Sequence, residues 1–122
     1  MAFVKRIDTV FVPVTDLERS ERWYLEMFPF KVTFRSGDGR YVGFSFKDHH
    51  PLQTGLCIYK AEKVVKSEHE TFNFFTEDVE GYHRFLQERN VKVTDIHVDG
   101  STRFFEFYDS DGNRMSAVAF PE

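Results

Sequence analysis

Arg103-Phe104-Phe105-Glu106-Phe107-Tyr108-Asp109-Ser110-Asp111-Gly112-Asn113-Arg114-Met115-Ser116-Ala117-Val118-Ala119-Phe120 closes a chain of 122 residues. Two apolar runs flank an Asp-Ser-Asp-Gly-Asn segment, and that is the sequence form of a β-hairpin. Asp and Asn satisfy their own backbone, and Gly112 accepts a positive φ. Strand alternation sends Phe105 and Phe107 to one face and Phe104, Glu106 and Tyr108 to the other. A carboxylate among rings costs free energy unless it meets water, a ligand or a partner. The mixed face therefore reads as a ligand cavity; an exposed edge strand with Glu106 in water fits the same residues.

Working outward, the segments before this hairpin repeat. A shift of 62 residues lays Thr9 on Thr71, Asp16 on Asp78, Leu17 on Val79, Glu18 on Glu80, Arg22 on Arg84, Trp23 on Phe85 and Glu26 on Glu88. A shift of 61 lays Lys31-Val32-Thr33 on Lys92-Val93-Thr94, and 63 lays Arg40-Tyr41 on Arg103-Phe104. Small offsets of this kind belong in turns. The first copy reads as a strand over 7–14, a helix over 17–27 capped by Thr15 or Asp16, and strands over 30–35, 40–47 and 55–60. Pro13 removes a ladder donor, which suits an edge strand or a bulge. Residues 61–70 read as a linker or a loose helical turn. The second copy reads as a strand over 71–76, a helix over 78–89 stopped at Asn90, a strand over 91–98 and the closing hairpin. The expected fold class is α+β: two βαβββ repeats, 5–60 and 69–120, in a single domain over 1–122. Each copy has one helix on one sheet face. The remaining faces need cover, and two curved sheets forming a cupped half-barrel pocket with the helices outside would provide it.

Composition narrows the function classes. The net charge of −4 with no basic cluster argues against a nucleic-acid partner. No apolar run approaches the roughly 20 residues of a membrane span, and the first residues lack the apolar core of a signal peptide. The single cysteine, Cys57, rules out an internal disulfide framework and fits a reducing cytoplasm. Fifteen phenylalanines are the outlier. They suit a thick core, a ring-lined pocket or a subunit interface.

The βαβββ duplication, the Val14-Thr15-Asp16-Leu17 entry to a helix bearing Trp23-Tyr24, and Phe107-Tyr108-Asp109-Ser110-Asp111-Gly112-Asn113 together resemble the vicinal oxygen chelate superfamily. That superfamily includes glyoxalase I, extradiol dioxygenases, and fosfomycin and bleomycin resistance proteins. The resemblance covers essentially the whole chain and implies a cupped pocket, often a divalent metal within it, and a homodimer. It places the metal ligands, usually His or Glu, on the first and last strands of each repeat. The matching positions here are Thr9 and Thr71, seven residues before each helix-capping Asp, Ser116, seven after Asp109, and Cys57. Hydroxyls and a lone thiol are poor substitutes for imidazole and carboxylate, so the expected cofactor is none. The extradiol members hold an active-site side chain three residues before the turn Asp, and Glu106 falls there.

The expected ligand-binding set is Thr9, Phe11, Cys57, Thr71, Phe104, Glu106 and Ser116, around an aromatic or cationic organic ligand. Glu106, enclosed by rings, should have a raised pKa or await a cationic or hydrogen-bonding ligand. The alternative is a metal-dependent, glyoxalase- or dioxygenase-like enzyme using Glu106 with His69 or His97 on a divalent metal ion. His49 and His50 read as solvated loop, and His83 as surface.

Overall fold

A computed structural model describes residues 3–48 and 50–121. The chain forms two compact units that divide between Val64 and Val65. The first holds β1 (Thr9–Val14), α1 (Leu17–Met27), β2 (Phe30–Arg35), β3 (Tyr41–Phe46) and β4 (Gly55–Lys60). Its sheet has the order β1-β4-β3-β2, with β1 parallel to β4 and the other pairs antiparallel. Pro13 lies in β1, at the sheet edge, where a missing donor is tolerated.

α1 starts where Asp16 accepts a hydrogen bond from the Arg19 backbone N–H at 3.0 Å. It ends at Phe28, because Pro29 disfavours helical geometry in the residue before it. Helix and sheet bury Val12, Val14, Tyr24, Met27, Phe30, Val42, Phe44, Leu56 and Ile58 between them. The Phe44 ring stacks on Tyr24 at 6.0 Å and on Phe30 at 5.4 Å, so rings fill the layer under the helix.

The second unit repeats the plan with β5 (Asn73–Phe75), α2 (Val79–Glu88), β6 (His97–Asp99), β7 (Thr102–Tyr108) and β8 (Arg114–Ala119). Its order is β5-β8-β7-β6, again with one parallel pair, β5 with β8. Asp78 caps α2 by accepting from the Gly81 N–H at 2.9 Å. Asn90, at φ 60°, stops it in the left-handed region. Phe105 and Phe107 are fully buried beneath α2, their ring centres 6.1 and 5.9 Å from that of Tyr82, whose hydroxyl pKa burial pushes up. The two βαβββ modules and the α+β class are as the repeat implied.

Three readings need correction. The strand expected over 91–98 is interrupted: Val93 makes an isolated bridge to Phe107, and regular pairing resumes only at β6. At the break the Thr94 hydroxyl accepts the Glu106 N–H at 2.9 Å, while the Thr94 N–H donates to the Glu106 carbonyl at 2.9 Å. A side chain that takes a ladder donor competes with the ladder itself. The strand expected over 71–76 is only three residues long, while 61–70 is an irregular linker, one of its two sequence readings. His83 is half-buried rather than solvated on the surface. Its Nε2 lies 2.8 Å from the Thr94 carbonyl oxygen, and its ring meets Phe105 edge-on at 4.9 Å.

The turn between β7 and β8 is tied by one side chain. Asp109, buried, accepts from the N–H groups of Asp111 at 3.0 Å and Asn113 at 2.8 Å, and from the Asn113 amide at 2.8 Å. Gly112 sits at φ 84°, where a side chain would be strained.

Candidate functional site

Each sheet has a face turned away from its helix. On the first, β1 sends Val10, Val12 and Val14 towards α1's side and Thr9, Phe11 and Pro13 to the other. Phe11 is opposite Cys57 in the β1–β4 register, and Thr9 is opposite Gly55. Thr9 donates its hydroxyl to the Asp8 carboxylate at 2.9 Å, and Asp8 also takes the Arg6 guanidinium at 2.7 Å. Phe11 is largely exposed, whereas Cys57 is buried and burial raises its thiol pKa. Thr9, Arg6, Asp8, Thr33, Ser45 and Thr54 help to line a depression of about 260 Å³ in this unit.

The second sheet's open face carries Phe104, Glu106 and Tyr108 from β7, and Arg114 and Ser116 from β8. Glu106 is opposite Ser116 and Tyr108 is opposite Arg114, so Arg114 is the diagonal neighbour of Glu106. The Arg114 Nε donates to Glu106 Oε2 at 2.5 Å, and its Nη1 donates to the Glu68 carbonyl at 2.5 Å. Glu70 comes up beside them, close enough to act on the Glu106 carboxyl, and its Oε2 lies 3.6 Å from His69 Nδ1. The Glu106 side chain is 14% exposed and that of Arg114 26%, so the pair is half-buried. His97 joins the same face, its ring 5.3 Å from that of Phe104.

Of the expected site residues, this face brings together Phe104, Glu106 and Ser116. Thr71 stands outside it, exposed in a bend before β5; the strand residue opposite Ser116 is Asn73. His69 is also exposed, with a side chain open by 82%. His50 spends its Nδ1 on the Leu52 N–H at 3.2 Å, and His49 lies outside the described residues. Sequence reasoning missed Arg114 and Glu70. Arg114 was findable, because the hairpin register sets it diagonally from Glu106. Glu70 was not, because it approaches from an irregular segment.

The expected raised pKa of Glu106 is reversed. The Arg114 hydrogen bond holds the carboxyl below its usual value, outweighing desolvation, with Glu70 and His69 adding to the lowering. A depressed carboxyl contributes stability that is complete above its unfolded pKa and is lost as pH falls through the folded value. The melting temperature of the wild type is therefore expected to fall more steeply than that of Glu106→Gln as pH drops from 5 towards 3. A constant gap between the two, followed by calorimetry, would contradict the assignment.

The residues at the superfamily's ligand positions do not fit a divalent cation. Thr9, Thr71 and Ser116 offer neutral hydroxyls, and burial keeps the Cys57 thiol protonated. No cluster of three or more His, Cys, Asp or Glu suited to a metal occurs among the described residues.

Two βαβββ modules, each with an open sheet face and a helix behind it, define a protein of the vicinal oxygen chelate class. A family model confirms it: residues 6–116 match the Glyoxalase/Bleomycin resistance protein/Dioxygenase superfamily, and the chain belongs to that family. Among solved structures it is similar to TnmS3, an antibiotic binding protein from Streptomyces sp. CB03234. The two are 22% identical over 99% of this chain and 100% of that one, with a TM-score of 0.79. A glyoxalase/bleomycin resistance protein from the same Streptomyces is 25% identical over 90% of this chain and 97% of its own, at a TM-score of 0.71. The fosfomycin resistance protein FosX from Listeria monocytogenes is 16% identical over 93% and 92%, at 0.77. No curated protein matches the chain. No helix among the described residues is long and apolar enough to cross a membrane.

Proposed function

We propose that this chain is a metal-independent small-molecule binding protein of the glyoxalase/bleomycin resistance type, taking an aromatic organic cation against the open face of its second sheet. The observation that carries the reading is the charge of the second face. Glu70 stands beside Glu106, and the Arg114 guanidinium pairs with Glu106. Two carboxylates beside one guanidinium leave an excess of negative charge that a further cation would offset. A ligand cation supplies that charge, while Phe104 and Tyr108 offer ring faces and edges to its aromatic part. Similarity to an antibiotic binding protein adds support at the level of the fold. The donor set at the superfamily's metal positions supports binding without a metal.

In the same reading the protein is a cytoplasmic homodimer, and its acidic charge leaves nucleic acid aside. The metal-dependent alternative would recruit Glu106 with His69 or His97. It is less favoured because Glu106 is already engaged by Arg114, and because His97 lies against Phe104.

A matched series of probes tests the reading: 2-naphthamidine as a planar aromatic cation, 2-naphthylmethanol as the neutral analogue and 2-naphthoate as the anion. At 100 times its Kd a ligand adds about 2.7 kcal/mol to stability. In a chain of this size that is on the order of 10 °C in melting temperature. The cation is expected to raise the melting temperature most, the alcohol weakly and the anion not at all. In Glu106→Gln the advantage of the cation should disappear. Equal shifts for all three probes, or a cation shift untouched by Glu106→Gln, would remove the charge-based reading.

A further inference from the structure

We propose that Arg114 sets the affinity and selectivity of this site by competing with the ligand: its guanidinium occupies the place on Glu106 that a ligand's cationic group must take. The inference rests on the reading above. It follows from where Arg114 spends its donors. Nε is committed to Glu106 Oε2 and Nη1 to the Glu68 carbonyl, each at 2.5 Å, so one planar group joins β7 to the segment preceding β5. Hydrogen bonds between a guanidinium and a carboxylate are among the strong ones, and a guanidinium is weakly hydrated, so it surrenders little on leaving water.

The incoming cation finds Glu106 only 14% exposed and already satisfied. It must break the Arg114–Glu106 bond before it can make its own. Glu70 stands near the same carboxyl, so its negative charge also favours the ligand once Arg114 swings aside. The Glu68 carbonyl holds the displaced guanidinium by its other end and keeps it near. Arg114 thus acts as an internal stand-in for the ligand. A weakly binding monocation is turned away, and a cation that can match a guanidinium's two-pronged geometry gets through.

The usual expectation for an arginine in a binding face is that its removal weakens binding. Competition predicts the opposite sign, and only for cations. With 2-naphthamidine followed by titration calorimetry, Arg114→Met is expected to bind about tenfold more tightly than the wild type. That is the scale of one charge-assisted hydrogen bond no longer opposing the ligand. Arg114→Lys should fall between them, since an ammonium cannot hold Glu106 and the Glu68 carbonyl in one plane. Binding of 2-naphthylmethanol should change far less than that of the amidine in both variants, whereas a merely structural role for Arg114 would move both probes together.

Unchanged or weaker amidine binding in both variants would overturn the competition while leaving the cation-binding reading in place. A shared change for amidine and alcohol would also overturn it. Failure of the amidine to bind wild type and variants alike would remove the reading and the inference together.

Discussion

Phe107→Ala is expected to destabilise the protein by about 3–5 kcal/mol, among the largest effects a single side chain here can have. Phe107 is fully buried on the α2 side of β7, edge-on to Tyr82 at 5.9 Å and 6.3 Å from Phe74. Truncation removes a ring's transfer free energy and leaves a cavity that β7 and α2, held by their other contacts, close only in part. Native stabilities are about 5–15 kcal/mol, so the variant should sit near its folding threshold, with urea unfolding shifted to much lower concentration. Phe104→Ala is the control. Its ring is on the opposite, half-open face, so its loss should cost no more than about 1 kcal/mol of stability. Equal losses for Phe104 and Phe107 in urea titrations would contradict the assignment of faces to β7, and with it the placing of Glu106.

Asp109→Ala is expected to cost about 3 kcal/mol. Its buried carboxylate receives two backbone N–H groups and one side-chain amide within a single turn. Bonds to a charged acceptor contribute about 1.5–3 kcal/mol each, with strong non-additivity inside one network. Alanine leaves the two N–H groups without their partner and frees the turn that sets the β7–β8 register. That register is what puts Arg114 diagonally across from Glu106, so the variant should also lose cation binding in excess of its lost stability. Asp109→Asn, which keeps one acceptor oxygen, should recover part of both. A stability loss below about 1 kcal/mol, measured by thermal unfolding, would mean that Gly112 and the strands alone dictate the turn.

The fold was legible because it is written twice. The paired caps Asp16 and Asp78, the aromatic and apolar helix faces and the Asp109 turn are local signals, and local signals survive into structure when packing agrees with them. The losses were tertiary. Thr94 reads as an ordinary strand residue, yet its hydroxyl takes the Glu106 N–H and breaks the ladder. His83 looks like a solvent residue on a helix and instead packs against Phe105, whose burial the helical pattern does not reveal.

The candidate site was legible by half. Alternation along β7 put Phe104 and Glu106 on one face, and the resemblance added Ser116, which the structure sets opposite Glu106. What alternation cannot give is the company a side chain keeps. Arg114 turned an expected high pKa into a low one, and Glu70 arrives from a segment with no periodicity to read. Thr71 was placed by counting from Asp78. The count was right, but β5 is too short to include it.

The central claim is that this face recognises an aromatic cation without a metal. Titration calorimetry of 2-naphthamidine tests it most directly, run on protein stripped with EDTA and on the same protein supplied in turn with Ni, Zn, Mn and Fe(II). The account predicts one binding isotherm with the same Kd in every case, and no stoichiometric metal uptake. Binding that vanishes on stripping and returns with one of these metals, its uptake lost in Glu106→Ala, would contradict it.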